Sequence, residues 1–74
     1  MAVIEILRIR DKALDKKTGK LRTYKYGKER NLKYFGIAML PDGTKAPFES
    51  DRFIRVGQRR RARKAPGQKK YIVQ

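Results

Sequence analysis

The residues with the clearest chemistry are a run of cations, Arg59, Arg60, Arg61, Arg63 and Lys64, followed by Lys69 and Lys70. A guanidinium is a planar fork whose paired N–H groups fit phosphate oxygens, or the edge of guanine, two at a time. Each phosphate neutralised in this way releases counterions. On duplex, about six to eight such contacts give a log–log salt slope of roughly −5 to −7. A second constellation lies upstream: Arg22, Tyr24, Lys25, Tyr26, Lys28, Arg30, Lys33 and Tyr34, with Phe35 next. Here rings alternate with cations. Tyrosines stack on unpaired bases while Lys and Arg hold the sugar–phosphate backbone.

Both sets read as nucleic-acid-binding residues, and each has a plainer reading beside it. The first also fits a solubilising tail or a localisation-type basic string. The second also fits ordinary core packing, because the chain has only four Tyr and three Phe. Phe35, Phe48 and Phe53 read first as core. Tyr24 and Tyr34 divide evenly between core and surface, since a Tyr buries its ring and keeps its hydroxyl wet.

Several chemistries are excluded. The 74 residues contain no Cys and no His. Zinc sites of the Cys or Cys/His kind, disulfides, and Ser–His or Cys–His catalytic sets are therefore impossible. Asp42, Glu49 and Asp51 are faintly similar to the metal-binding carboxylates of nucleases. That arrangement needs a Lys where Asp51 stands, and Asp42 is explained as a turn residue. The Gly-Lys pairs at 19–20 and 27–28 lack the Gly spacing and following helix of a phosphate loop. No catalytic residue, metal or cofactor is assigned, and the protein reads as a non-enzyme.

Charge points to the partner. There are 21 Lys and Arg against 7 Asp and Glu, a net charge of +14. A small domain is comfortable at a magnitude of about 2–8, so a polyanion that relieves the self-repulsion is expected. Nucleic acid, RNA or DNA, leads. The alternative is a small basic structural or interaction protein: a ribonucleoprotein or virion component, or a phage-encoded modulator of an acidic protein partner. No stretch has the roughly 18 apolar residues of a membrane span, and the absence of Cys fits an intracellular setting, cytoplasmic or nucleoid- or virion-associated. Half of the charge is concentrated. Residues 1–56 hold 14 basic and all seven acidic residues, whereas residues 57–74 hold seven basic and no acidic ones.

The elements that must position these groups are strands. Residues 2–10 are β-branched, with Ile4 and Ile6 on one face and Val3, Leu7 and Ile9 on the other. Residues 15–20 read as a tight turn, 21–26 as a short strand, and 27–31 as a polar link. The strongest strand is 32–40, and Gly36 inside it marks a bend, a bulge or a close backbone approach. Pro41, Asp42, Gly43 and Thr44 form the clearest turn. A strand with Phe48 inward returns over 45–49, where Pro47 implies an edge or a bulge. Phe53, Ile54 and Val56 fit a strand or a helical turn capped by Ser50. Residues 57–74 form either a basic arm or a hairpin turning at Pro66 and Gly67, with Tyr71, Ile72 and Val73 docked on the body. The expectation is an all-β single domain, a small barrel or strongly bent antiparallel sheet of the oligonucleotide-binding (OB) or SH3-like kind.

Residues 33–58 resemble part of a cold-shock domain. The run Lys33, Tyr34, Phe35, Gly36, Ile37, Ala38 is similar to that family's first RNA-binding motif. Phe48, Glu49, Ser50 after the Asp42-Gly43 turn is similar to its second, and Val56, Gly57, Gln58 resembles the start of a later strand. Tyr34 stands where the family has Gly, Ile37 where it has a stacking Phe, and Ser50 where it has His. The resemblance implies an OB barrel with binding roles for Lys33, Phe35 and Phe48, and it places Phe35 at the surface.

Overall fold

A computed structural model of the chain describes residues 2–25 and 31–74. Tyr26, Lys28 and Arg30 lie outside the described residues. Among the described residues there is no helix. Seven strands form the structure: β1 Ala2–Ile9, β2 Lys12–Asp15, β3 Leu21–Thr23, β4 Leu32–Met39, β5 Lys45–Ser50, β6 Arg59–Lys64 and β7 Tyr71–Val73. Five of them close a barrel in the order β1-β6-β7-β5-β4, with β4 returning to β1. All pairings in this ring are antiparallel except β5 with β7, which run parallel. Strands β2 and β3 extend the sheet from the beginning of β4.

β1 has two partners, and a bulge lies where it passes from one to the other. Ala2 to Glu5 pair with β6, whereas Glu5 to Ile9 pair with β4. The register slips between Ile6 and Arg8, leaving Leu7 as the extra residue. Such an insertion bends the strand and raises its twist. It also switches which residues face inward. Ile4 and Ile6 are fully buried before it, and Ile9 packs against the same core after it. Simple alternation placed Ile9 opposite Ile4 and Ile6, and the bulge overturns that placement.

Gly36 faces the bulge. A Cβ on it would lie 1.9 Å from the Arg8 carbonyl oxygen and 2.8 Å from Phe48 Cε2. Of the three options the sequence allowed, close backbone approach is the one realised. With Gly36 inward, β4 alternates strictly. Leu32, Tyr34 and Ala38 are buried, and Lys33, Phe35, Ile37 and Met39 point outward.

The turns hold as read. Asp15 Oδ1 accepts the Lys17 and Thr18 N–H groups at 2.8 and 3.3 Å. Asp42 Oδ1 accepts the Thr44 N–H at 3.0 Å and its hydroxyl at 2.6 Å, with Gly43 at φ 87°. β2 is the strand the sequence did not reveal, because its only buried apolar side chain is Ala13. Pro47 is neither at a free edge nor in a bulge. Counting in twos from the Leu40 N–H to Thr44 carbonyl bond, its nitrogen faces away from β4. On that side β7 begins to pair only at Phe48, so no ladder bond is lost. Residues 53–56 are neither strand nor helix. Ile54 enters the core and Val56 stays 62% exposed, while Ser50 accepts the Arg52 N–H and donates to the Arg52 carbonyl.

The basic segment is a docked hairpin and not an arm. Ala62 is fully buried between β1 and β7. The turn is closed by the Gln68 N–H to Ala65 carbonyl and Ala65 N–H to Lys70 carbonyl bonds, with Gly67 at φ 68°. Ala62 and Val73 join Ile4, Ile6, Ala38, Phe48 and Ile54 in the main core.

Gly36→Ala has to displace backbone, so it should destabilise the fold by about 1–3 kcal/mol, read as a lower urea midpoint at constant m-value; an unchanged midpoint contradicts the close approach. Truncation after Val56 removes two of five staves, so residues 1–56 alone should show no cooperative melt and a collapsed amide spectrum. A dispersed spectrum from that fragment contradicts the closed barrel.

Candidate functional site

The outward residues of β4 and β5 face each other in register: Phe35 with Glu49, Ile37 with Pro47, and Met39 with Lys45. Directly opposed side chains lie within contact reach. Phe35, Ile37 and Pro47 therefore make a continuous apolar strip, and it forms the floor of a groove of about 810 Å³. Arg8, Ile9, Arg10 and Asp11 line one side of the groove, and Lys70 lines it too. Arg8 is brought there by its register with Ile37. Arg10 is held by its own N–H, which donates to the Phe35 carbonyl at 2.8 Å. Its carbonyl accepts the Tyr24 hydroxyl at 2.7 Å, so the β3 end of the added hairpin is tied to the groove wall.

Glu49 orders the cations nearest Phe35. It is 8% exposed. Its carboxylate lies 3.1 Å from Lys70 Nζ and 3.9 Å from Lys33 Nζ. One carboxylate thus stands between two ammonium groups, leaving a net positive charge beside the ring. Asp11 is a second acid on the groove wall, whereas Asp15, Asp42 and Asp51 are engaged elsewhere. Backbone N–H groups of Lys17 and Thr18, and then Arg22, hold the Asp15 carboxyl below its ordinary value. The Thr44 hydroxyl and N–H do the same for Asp42, and Asp51 pairs with Lys16 at 3.4 Å. Asp42, Glu49 and Asp51 do not converge, and among the described residues no three acidic side chains form a metal-sized cluster.

The expected site residues separate into five groups. Lys70 and Phe35 are in the groove, and Lys33 adjoins it through Glu49. Tyr34 and Phe48 are core residues, 2% and 1% exposed, so Tyr34 offers no ring to the surface and Phe48 contributes only to the groove floor. Tyr24 is half-buried, edge-on to Tyr34 at 4.9 Å and to Phe53 at 6.2 Å; it supports the wall. Arg22 and Lys25 are exposed, with Arg22 paired to Asp15 at 3.5 Å. Arg59, Arg60, Arg61, Arg63 and Lys64 form β6, and Lys69 lies in the turn that follows.

Sequence reasoning missed Arg8, Arg10, Ile37 and Pro47. The parity of β4 carried the signal for Ile37: an inward Gly36 forces 35 and 37 outward together. The bulge hid Arg8 and Arg10. No family model matches the chain, and no curated protein or solved structure is significantly similar to it.

The tie from Tyr24 to Arg10 is testable. Tyr24→Phe keeps the ring and loses the hydrogen bond, so it should cost about 1 kcal/mol of stability and shift the Arg10 amide resonance. Full stability with an unmoved Arg10 would show that this bond does not hold the wall.

Proposed function

We propose that this protein binds single-stranded nucleic acid, without catalysing a reaction, in the groove over β4 and β5. The observation that carries the reading is the pairing of an upturned aromatic ring and apolar strip with three cations in one open groove. A base stacked on Phe35 would lie over Ile37 and Pro47, while Arg8, Arg10 and Lys70 meet the flanking phosphates. Base–aromatic stacking contributes about 1–3 kcal/mol per base, and it is open only to unpaired bases.

Topology supports the same reading. Numbered as barrel staves alone, β1, β4, β5, β6 and β7 are first to fifth. A five-stranded Greek-key barrel of the OB kind uses its second and third strands, with the loops after the first and fourth, to bind oligonucleotides. Here those are β4 and β5, the segment holding Arg10 and Asp11, and the turn ending at Lys70. The resemblance in residues 33–58 places Lys33 and Phe35 in the same region. The +14 charge supplies long-range attraction for a polyanion.

The test is fluorescence anisotropy with short single-stranded DNA, single-stranded RNA and duplex, between about 50 and 200 mM salt. Single strands should bind more tightly than duplex. Three or four phosphate contacts in the groove give a log–log slope of roughly −2 to −3, shallower than the whole basic complement would give. Phe35→Ala should weaken binding about 5- to 150-fold, and Phe35→Tyr should restore it. Arg10→Gln should lower the slope by about 0.7. No binding at low salt, or an unaffected Phe35→Ala, contradicts the proposal.

A further inference from the structure

The groove leaves the densest charge of the chain unused. Arg59, Arg61 and Arg63 do not line it. β6 reaches β4 only across β1, and β5 only across β7. In a ring of five staves the outer face of β6 is therefore turned away from the β4–β5 face. Buried Ala62 sets the pleat, so Arg61 and Arg63 point outward, and Arg59 shares their parity.

Three features suit this arginine face to a polyanion. Arginines two residues apart on an antiparallel strand are rooted ~6.8 Å apart along the backbone, close to the separation of successive phosphates along a nucleic-acid strand. Countercharge is sparse: Arg59 Nε is 3.9 Å from Glu5 with its side chain 77% exposed, and among the described residues Arg61 and Arg63 form no ion pair. Their neighbours across the ladders are Val3 and Ile72, neither of them acidic.

We infer that the outer face of β6 is a second nucleic-acid site, which grips phosphates without reading bases, and that one molecule therefore holds two strands at once. The bridging half of this inference rests on the groove being the first site. The two sites differ in chemistry. The groove offers a ring and selects unpaired bases. The β6 face offers three guanidiniums and no aromatic ring, so it accepts any phosphate backbone.

Native mass spectrometry with oligothymidylates too short to wrap the barrel tests this, together with energy transfer between donor- and acceptor-labelled copies. The wild type should bind two strands per protein and bring the labels together. The R59Q/R61Q/R63Q variant should bind one strand and lose transfer, and adding Phe35→Ala should remove that strand as well. R59K/R61K/R63K should keep both. K12Q/K17Q/K20Q removes the same charge from the β2–β3 hairpin, where all three lysines are exposed, and should also keep both. Circular dichroism melts of the arginine and lysine variants should match the wild type, since those side chains are exposed. One strand per wild-type protein, or equal loss in the hairpin variant, overturns the second site. Loss of all binding in the β6 triple variant, with Phe35→Ala unaffected, overturns the groove as well as the bridge and leaves β6 as sole site. Absence of any bound strand overturns both readings.

Discussion

The close passage of β1 over Gly36 is the constraint on which the rest of this structure depends. One strand pairs with β6 through its first half and with β4 through its second, and it bends at the change-over. The extra residue at Leu7 supplies the bend. The bend drives the Arg8 carbonyl into the space that a side chain at position 36 would fill. Glycine is thus required on β4 at the point where the barrel closes. The same bend swings Arg8 and Arg10 from the continuation of β1 onto the outer surface of β4. Closure and the cationic wall of the groove are two consequences of one backbone approach.

Parity then sorts the chain into core and surface. An inward Gly36 places Tyr34 and Ala38 inward, and Phe35 and Ile37 outward. The barrel is too small to absorb both sets, since the main core is built from few large side chains, with alanines at 38 and 62. Tyr34 instead packs edge-on with Tyr24 and Phe53 in a second small cluster beneath the added hairpin. That cluster stabilises the hairpin, and the Tyr24 hydroxyl passes the support on to Arg10. The aromatic–basic run is therefore a mixture. Its Tyr members described here build the scaffold, and the Phe at its end is what the scaffold displays.

Much of this was legible in the residues. The Asp-Gly turn at 42–43, strong alternation in β4, and the apolar end of the chain at 71–73 are local signals that survive folding. They gave the all-β class, with a barrel as one of two forms and a docked hairpin as one of two readings of the basic segment. Three things were not legible. β2 has a single buried apolar side chain and owes its conformation to its neighbours β3 and β4. The bulge at Leu7 reverses parity without any Gly or Pro to announce it, which misplaced Ile9 and concealed Arg8 and Arg10. The distribution of charge between two faces is a property of strand order. Residues 59–64 are continuous with Lys70 in sequence, yet the hairpin turns Lys70 into the groove while β6 looks outward elsewhere.

The proposed role of the β4–β5 face is to hold nucleic acid. Backbone amide shifts measured during titration with a short single-stranded oligonucleotide test it most directly, because they report position independently of affinity. The largest changes should fall on Arg8, Arg10, Phe35, Ile37 and Lys70, with the Phe35 ring protons moving upfield as a base stacks on them. Changes confined to the β2–β3 hairpin, or an unmoved Phe35 ring at saturation, would contradict it.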